Sequence, residues 1–448
     1  MASPNAPLSY GSLKAVLRYM DPNQRALFTH RCPEVSMSRT ADNCAPQKIT
    51  TVCVEPAQIS INNTTYQMGI VIQYPEGATP PKSHVDINKW NGTQQDLDRY
   101  GFETYRPIGT PGDIYVPGSN PVTHEGFRQG YEGNLKEMEE KRERLMQRRD
   151  ILHLSPNSEK SLEELEKTIA DVEAELVPFR LKEGKKEDVP YVLYLQLTVL
   201  TEGPNGQKVE AIERIEYNRS LGSAFTYLIR RLLNKKELTH VDTLKITSMR
   251  KSDFFWLPTE INLAANHLTI DTNAANILEA IELLIHPDHR RPFRTVTLNL
   301  NRELNYNEGI LNTVGTLIIR NVLPISLYET IAHRRVQFDF CMDVSSFDYI
   351  YHQWRRPNAP IGTHFFSYTY PVKGSQWHDY VKRIEGRFLA ETPSRGVACL
   401  PNCVILPLTD HTQLEFFITP LIRPVTSFFG RECTIMLNFE IQPRRQFN

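Results

Sequence analysis

The sequence predicts a chain of the α+β or α/β class: a short N-terminal helical unit, an antiparallel helical hairpin, and an irregular βα region closing in a mixed C-terminal sheet. Three observations carry that reading. Leu13, Val16, Leu17 and Met20 fall at i, i+3, i+4 and i+7, one apolar face of a helix. Leu162, Leu165, Ile169, Val172 and Leu176 alternate spacings of three and four, a heptad seam. Beyond residue 240 short apolar strands recur at roughly 20 to 28 residues, the period range of leucine-rich repeats.

The helical unit is assigned to residues 7–45. Asp21 followed by Pro22 ends the first helix and supplies the N-cap and first position of a second, which carries Ala26 and Leu27 inward before Cys32 and Pro33 stop it. Two helices this short cannot bury enough apolar surface to fold alone. They lean on the rest of the chain, or their stripe meets a partner.

Residues 46–130 are assigned to strands followed by a loop region. "QKITTVCV" and "QISINNTTYQMGIVIQY" alternate apolar and polar residues, and Asn62 and Asn63 mark a hairpin turn. The stretch 75–130 is rich in Pro, Gly and Asn and is expected to be a long loop packed by Trp90, Tyr100, Phe102 and Tyr105. Residues 131–178 are expected to form the helical hairpin, with "SPNS" at the turn. Leu135, Met138, Leu145 and Leu152 lie on the first helix, sharing their stripe with Arg142 and Arg149, which would face glutamates or water. A spacer between domains and a partner-binding arm are both compatible with this pattern.

The α/β repeat-like domain is assigned to 189–448. "YVLYLQLTVL" and "VEAIERIEY" pair across Gly203–Gly206, and "SLGSAFTYLIRRLLN" is an amphipathic helix. "TLKI", "HLTI", "TVTL", "TLII" and "RVQF" then recur, with helical stretches such as "NAANILEAIELLI" between some of them. Leu244, Leu268, Leu298, Leu317 and Val336 should share one core beside a largely parallel sheet. Near the C-terminus "SSFDYIYHQW" and "SQWHDYVKRIEGRF" are expected as helices, and "CVILPL", "QLEFFIT" and "CTIMLNFEI" as strands.

Composition excludes several function classes. A net charge of −1 gives no field that recruits nucleic acid or an acidic membrane. The basic pairs sit mostly at helix ends, where cations meet the carbonyl end of the dipole. No signal peptide is visible, and no apolar run approaches the roughly 20 residues that span a bilayer. Seven scattered cysteines, an odd number, make no disulfide framework. "CLPNC" lacks a second ligand pair, and "HPDH" places proline between its polar groups, so no metal and no cofactor are expected. No phosphate loop, nucleophile elbow or zinc-protease helix occurs, and no catalytic residue is assigned. An intracellular protein of cytoplasm or nucleus is expected.

The opening "PLSYGSLKAVLRYMDPNQRALFTHRCPEV" resembles that of the nematode F-box C family. The resemblance continues through "ISINNTTYQMGI", "DLDRYGF", "TPGDIYV", "PYVLYLQLTV", "IERIEYNRSLGSAFTYLI", "APIGTHF" and "LPNCVILPLTDHTQLEFF". It implies a degenerate F-box that docks on a Skp-type adaptor, followed by a domain of unknown function. Leu8, Leu13, Val16, Leu17, Met20 and Leu27 stand where F-box apolar residues would; Pro7–Leu8 reverses the usual Leu-Pro opening, and no Trp precedes Trp90. The expected function is a non-catalytic adaptor that brings an unknown substrate protein to a Skp-cullin-F-box ubiquitin ligase. The alternatives are a self-contained interaction scaffold and, behind it, an enzyme without a recognised motif.

Overall fold

The computed structural model describes residues 10–31, 49–104, 113–116, 124–153, 159–233, 238–247, 253–258, 261–271, 277–278, 281, 285, 293–299, 309–321, 331, 333–339, 350–351, 354, 360–369, 382, 404–426 and 432–444. The chain opens with α1 (Tyr10–Tyr19) and α2 (Pro22–Arg31), then β1 (Ile49–Glu55), β2 (Gln58–Ile61), β3 (Thr64–Gln73), α3 (Lys82–Lys89) and β4 (Asp113–Val116). Two long helices, α4 (His124–His153) and α5 (Glu159–Glu183), precede β5 (Val192–Glu202), β6 (Lys208–Glu216) and α6 (Leu221–Leu233). Then come β7 (Thr239–Ile246), β8 (Asp253–Trp256), β9 (Leu263–Ile270), β10 (Thr295–Leu298), β11 (Thr316–Ile319) and β12 (Arg335–Phe338). The last strands are β13 (His364–Thr369), β14 (Val404–Pro407), β15 (Thr412–Thr426) and β16 (Glu432–Pro443).

The fold is mixed α/β. Packing groups residues 1–237 with 250–261 into one unit, and residues 238–249 with 262–448 into a second. Strands β5 and β6, which the sequence places with the C-terminal region, therefore sit in the first unit. The reason is pairing: β5 lies antiparallel to β3 over ten residue pairs, from Thr64↔Thr201 to Gln73↔Val192.

The first unit is built on the antiparallel order β1-β2-β3-β5-β6. The turn between β2 and β3 is Asn62–Asn63, as alternation predicts. Asn62 takes φ 55°, a region asparagine tolerates better than most residues. Its Oδ1 accepts the Thr50 N–H and hydroxyl, each at 2.9 Å, which ties the turn to the start of β1. One sheet face buries Val52, Val54, Ile59, Ile61, Tyr66, Met68 and Ile70. Helix α2 is anchored to the same strands: Asn23 Nδ2 donates to the Ile61 carbonyl at 3.1 Å, and the Tyr66 hydroxyl donates to Asn23 Oδ1 at 3.0 Å. Helix α6 buries Leu221, Phe225, Ile229, Leu232 and Leu233, with Phe225 edge-on to Trp256 of β8. Strand β8 itself pairs with β4.

The heptad seam holds. Leu165, Val172 and Leu176 are buried on α5, and Leu162 and Ile169 are half-buried. The α4 residues Leu135, Met138, Leu145 and Leu152 are half-buried too. Arg142 on that stripe meets Glu173, which also accepts from Arg180 Nη1 at 2.7 Å, so the guanidinium finds a carboxylate as the Glu-rich partner helix suggests. Arg149 pairs with its neighbour Asp150 at 3.0 Å. The hydrogen bond from Arg142 holds the Glu173 carboxyl below its usual range. Both helices outrun the limits 131–178, and α5 continues through the buried Pro178. The "SPNS" turn lies outside the described residues.

The expected loop 75–130 contains α3, whose two apolar residues Val85 and Ile87 are too few to show a helical period. Trp90 does not pack the loop: it is 77% exposed. Phe102 does, between Tyr131 of α4 and Phe179 of α5 at ring distances of 5.0 and 4.6 Å.

The second unit is ordered β7-β9-β10-β11-β12-β13-β16-β15-β14. The first six strands are parallel, and their registers align Leu244, Leu268, Val296, Leu317, Val336 and Phe365 in one row. Leu298 lies one row on, beside Ile270 and Ile319. All five residues expected in the shared core are buried. Strand β13 extends the parallel array beyond the five strands that the spacing marks, and β16, β15 and β14 close it antiparallel. Ile277, Leu278 and Ile281 of "NAANILEAIELLI" are helical and buried, as are Ile350, Tyr351 and Trp354. Most of "SQWHDYVKRIEGRF" lies outside the described residues.

Because Leu268 is wholly buried between Leu244 and Val296, Leu268→Ala should cost about 2–5 kcal/mol. Urea unfolding followed at the second unit should show a lower midpoint; a loss below about 1 kcal/mol would contradict the ladder.

Candidate docking surface and a buried histidine cluster

The apolar residues assigned to adaptor docking divide. Helix α1 ends where Asp21 takes over as N-cap of α2, its Oδ1 accepting the N–H groups of Asn23 at 2.9 Å and Gln24 at 3.3 Å. Leu17 is completely buried within the chain, and Leu13 and Met20 are half-buried. Val16 is 44% exposed, and Tyr19, three residues on, is 63% exposed. Helical spacing makes Val16 and Tyr19 neighbours on an outward strip, with Leu17 on the face turned into the chain. Leu8 lies outside the described residues; Leu27 falls within α2, and its side chain lies outside them too. Sequence reasoning thus located the helix and its apolar side but not which residues would root it.

A second cluster went unnoticed in the sequence. Residues 74–191 leave β3 and return to β5, and the two strands hold the ends of this excursion side by side. Just past the last pair, the rings of Tyr74 and Tyr191 lie 5.0 Å apart. His84 of α3 completes the group: its Nδ1 meets the Tyr74 hydroxyl at 3.0 Å, and its ring stands edge-on to Tyr191 at 5.6 Å. Gly101 presses on the other side, where a Cβ would sit 3.1 Å from the imidazole. Glu175 of α5 accepts the Ser83 N–H at 2.9 Å and its hydroxyl at 2.6 Å, holding the first turn of α3.

Burial pushes the His84 imidazole down to about 4, opposed in part by the Glu175 carboxylate. The ring is neutral at physiological pH. Burial also raises the Tyr74 and Tyr191 phenols. A cavity of about 180 Å³ adjoins the cluster, lined by Val71, Gln73, Tyr74, Pro80, Asn88 and Arg214. Asn88 is already committed to β3, accepting the Ile72 N–H at 2.9 Å and donating to its carbonyl at 2.7 Å. The cluster joins elements together: the Tyr74 hydroxyl is spent on His84, while the buried Tyr191 hydroxyl has no hydrogen-bond partner among the described residues. Its members lie far apart in sequence and follow no period, so only the "DLDRYGF" stretch, which supplies Gly101, gave any local signal. Among the described residues, no group of acidic, histidine and cysteine side chains could hold a metal ion.

A family model for a domain of unknown function, DUF3557, matches residues 220–369. The match runs from the residue before α6 to the end of β13, so it contains the whole parallel array. No curated protein and no solved structure matches the chain.

The His84 environment fixes a pH dependence. An unfolded imidazole titrates near 6.5, so between about 6.5 and 4 the unfolded chain binds the extra proton. Stability is full above that window and falls with pH through it, by about 3 kcal/mol in total. His84→Phe, which keeps a ring but cannot titrate, should flatten this part of a denaturation profile. An unchanged slope would show that His84 is not the group responsible.

Proposed function

We propose that the protein is a non-catalytic protein-binding subunit that brings a substrate protein to a Skp-cullin-F-box ubiquitin ligase. The observation that carries this reading is the division of α1 into a rooted face and an outward one. Leu17 ties the helix to its own chain, while Val16 and Tyr19 remain in solvent beside Leu13 and Met20. An apolar helical strip presented by a rigid base is what a helix-binding groove recognises. The row of short parallel strands is then an irregular, leucine-rich-repeat-like array, and such arrays offer extended surfaces to protein ligands. Polar residues that follow successive strands, Asp271, Asn299, Arg320 and Asp339, line one end of it, with Arg320 Nη1 reaching Asp271 at 2.6 Å. The ligase reading places the protein in cytoplasm or nucleus. Among the described residues no helix is long and apolar enough to cross a membrane.

The complete burial of Leu17 favours a second reading, a self-contained scaffold whose N-terminal helices serve only its own fold. Val16, not Leu17, separates the two. Leu17→Asp buries an unpaired carboxylate under either reading and should lower the thermal midpoint by about 10 °C. The double variant Val16→Asp/Tyr19→Asp changes exposed positions and should leave the midpoint within about a degree or two. If the strip meets a Skp-type adaptor, the same double variant should weaken capture by about tenfold or more. Failure of a purified Skp-type adaptor to bind the unaltered chain would end the ligase reading.

A further inference from the structure

The last strand of the first sheet has an open side. β6 pairs with β5 on one edge, and among the described residues it has no neighbour on the other. All nine of its residues are exposed, including Val209 at 62%, Ile212 at 48% and Ile215 at 61%. Natural edge strands are shortened, bulged, charged or interrupted by proline to prevent pairing. This one has only the charges, which repel a like-charged strand and admit a complementary one: its register with β5 is continuous from Tyr194↔Glu216 to Glu202↔Lys208, and it contains neither proline nor glycine.

We propose that β6 pairs antiparallel with β6 of a second copy of this chain, about a two-fold axis through Ile212. The backbone allows it. Next to the strand, Tyr217 N–H bonds to the Leu193 carbonyl at 3.0 Å, and Gly203 N–H to the Gln207 carbonyl at 2.7 Å. Odd-numbered residues of β6 therefore exchange hydrogen bonds with β5, and even-numbered residues turn N–H and C=O outward. A two-fold axis at Ile212 sets even residues opposite even residues, so Ile212 exchanges both bonds with its own counterpart.

The side chains select the same register. In "KVEAIERIE", that axis places Lys208 opposite Glu216 of the second copy, and Glu210 opposite Arg214. On the other face Val209 meets Ile215, extending the apolar face already buried in β3. A shift of the axis by one residue toward the N-terminus sets Lys208 against Arg214. A shift toward the C-terminus sets Glu210 against Glu216, and Glu213 against itself. Directly opposed like charges destabilise a pair of strands, and opposite charges stabilise it. Four of the five charges of the strand thus complement one another about its central isoleucine, with Glu213 set opposite Ala211, and the partner it fits is itself. This inference goes beyond the ligase reading and does not depend on it.

The test uses the full chain and analytical ultracentrifugation. The unaltered protein should show a reversible monomer–dimer equilibrium. Glu210→Arg and Arg214→Glu should each weaken it by about tenfold or more, because each sets like charges opposite one another twice per dimer. Mixed in equal amounts, the two single variants should form a heterodimer, since the two substituted side chains then face each other with opposite charges. The double variant Glu210→Arg/Arg214→Glu should dimerise like the unaltered chain. Ile212→Pro removes an outward N–H and a half-exposed side chain but no hydrogen bond to β5; it should abolish dimers and leave the thermal midpoint nearly unchanged. A chain that stays monomeric up to its solubility limit overturns the proposal, as does a dimer indifferent to these substitutions. A dimer weakened by both single variants but restored by neither the mixture nor the double variant also overturns it.

Discussion

The ten-pair ladder between β3 and β5 is the interaction on which the first unit depends. It joins residues on either side of an excursion that contains a short helix, a turn-rich loop and a long helical hairpin. The entropy of closing a loop grows only with the logarithm of its length, so a large insertion is tolerable once its ends are fixed. Here a register between two interior strands fixes them. The tilted rings of Tyr74 and Tyr191 meet immediately beyond the final pair, and His84 packs against both. A neutral imidazole suits that place because a charged one would have to be desolvated; the low His84 pKa records this constraint.

Within the excursion, the stretch from Asp96 to Phe102 works as a tie. Asp96 Oδ1 accepts the Leu221 N–H at 2.6 Å, at the start of α6, and the Tyr217 hydroxyl at 2.7 Å. Asp98 accepts the N–H groups of Tyr100 and Phe102 and pairs with Lys182 Nζ at 2.9 Å. That ammonium also lies over the rings of Phe102 and Tyr131. The carboxylates thus do two jobs, one capping a helix at its positive end and one shaping a turn. Phe102 and Gly101 add apolar contact and close approach. The hairpin is therefore no free spacer at its base: its last turn, beyond Pro178, is held by Phe179 and Lys182.

Much of this was legible where the signal is local. Helix α1, the Asp21 cap, the Asn62–Asn63 turn, the heptad seam and the recurring parallel strands are periodic patterns or short-range turn chemistry, and each stands in the structure, although Val16 of the α1 stripe faces outward. What the sequence hid is what depends on distant partners. Residues 74, 84, 101, 175 and 191 share no period, and α3 is too short and too polar for one. Trp90 illustrates the converse: an aromatic in a loop suggests packing, yet its neighbours Asn91 and Gly92 turn the chain back against β3 and leave the indole outside. The close approach is visible at Gly69, where a Cβ would lie 2.2 Å from the Asn91 carbonyl oxygen. Grouping β5 and β6 with the C-terminal region had the same cause, since nothing local says which strand a strand will join.

Among the described residues β14 and β6 each lack a neighbour on one side, and they show how differently a sheet can end. The parallel array of the second unit passes from aliphatic to aromatic along its row, reaching Phe365, which packs on Trp354 at 4.7 Å and pairs in register with Phe439. Long antiparallel strands then take over, and the last of the series, β14, is four residues long and ends in Pro407. That is a strand shaped to stop pairing. β6 is more than twice as long, regular, and carries apolar residues on both faces. Solvent alone gives no reason to keep Val209, Ile212 and Ile215 exposed along an unbroken row of hydrogen-bonding groups. The alternation of lysine, glutamate and arginine around them restricts which strand can approach and in which register. An edge built this way discriminates among partners by charge, and its own sequence, reversed, satisfies the discrimination.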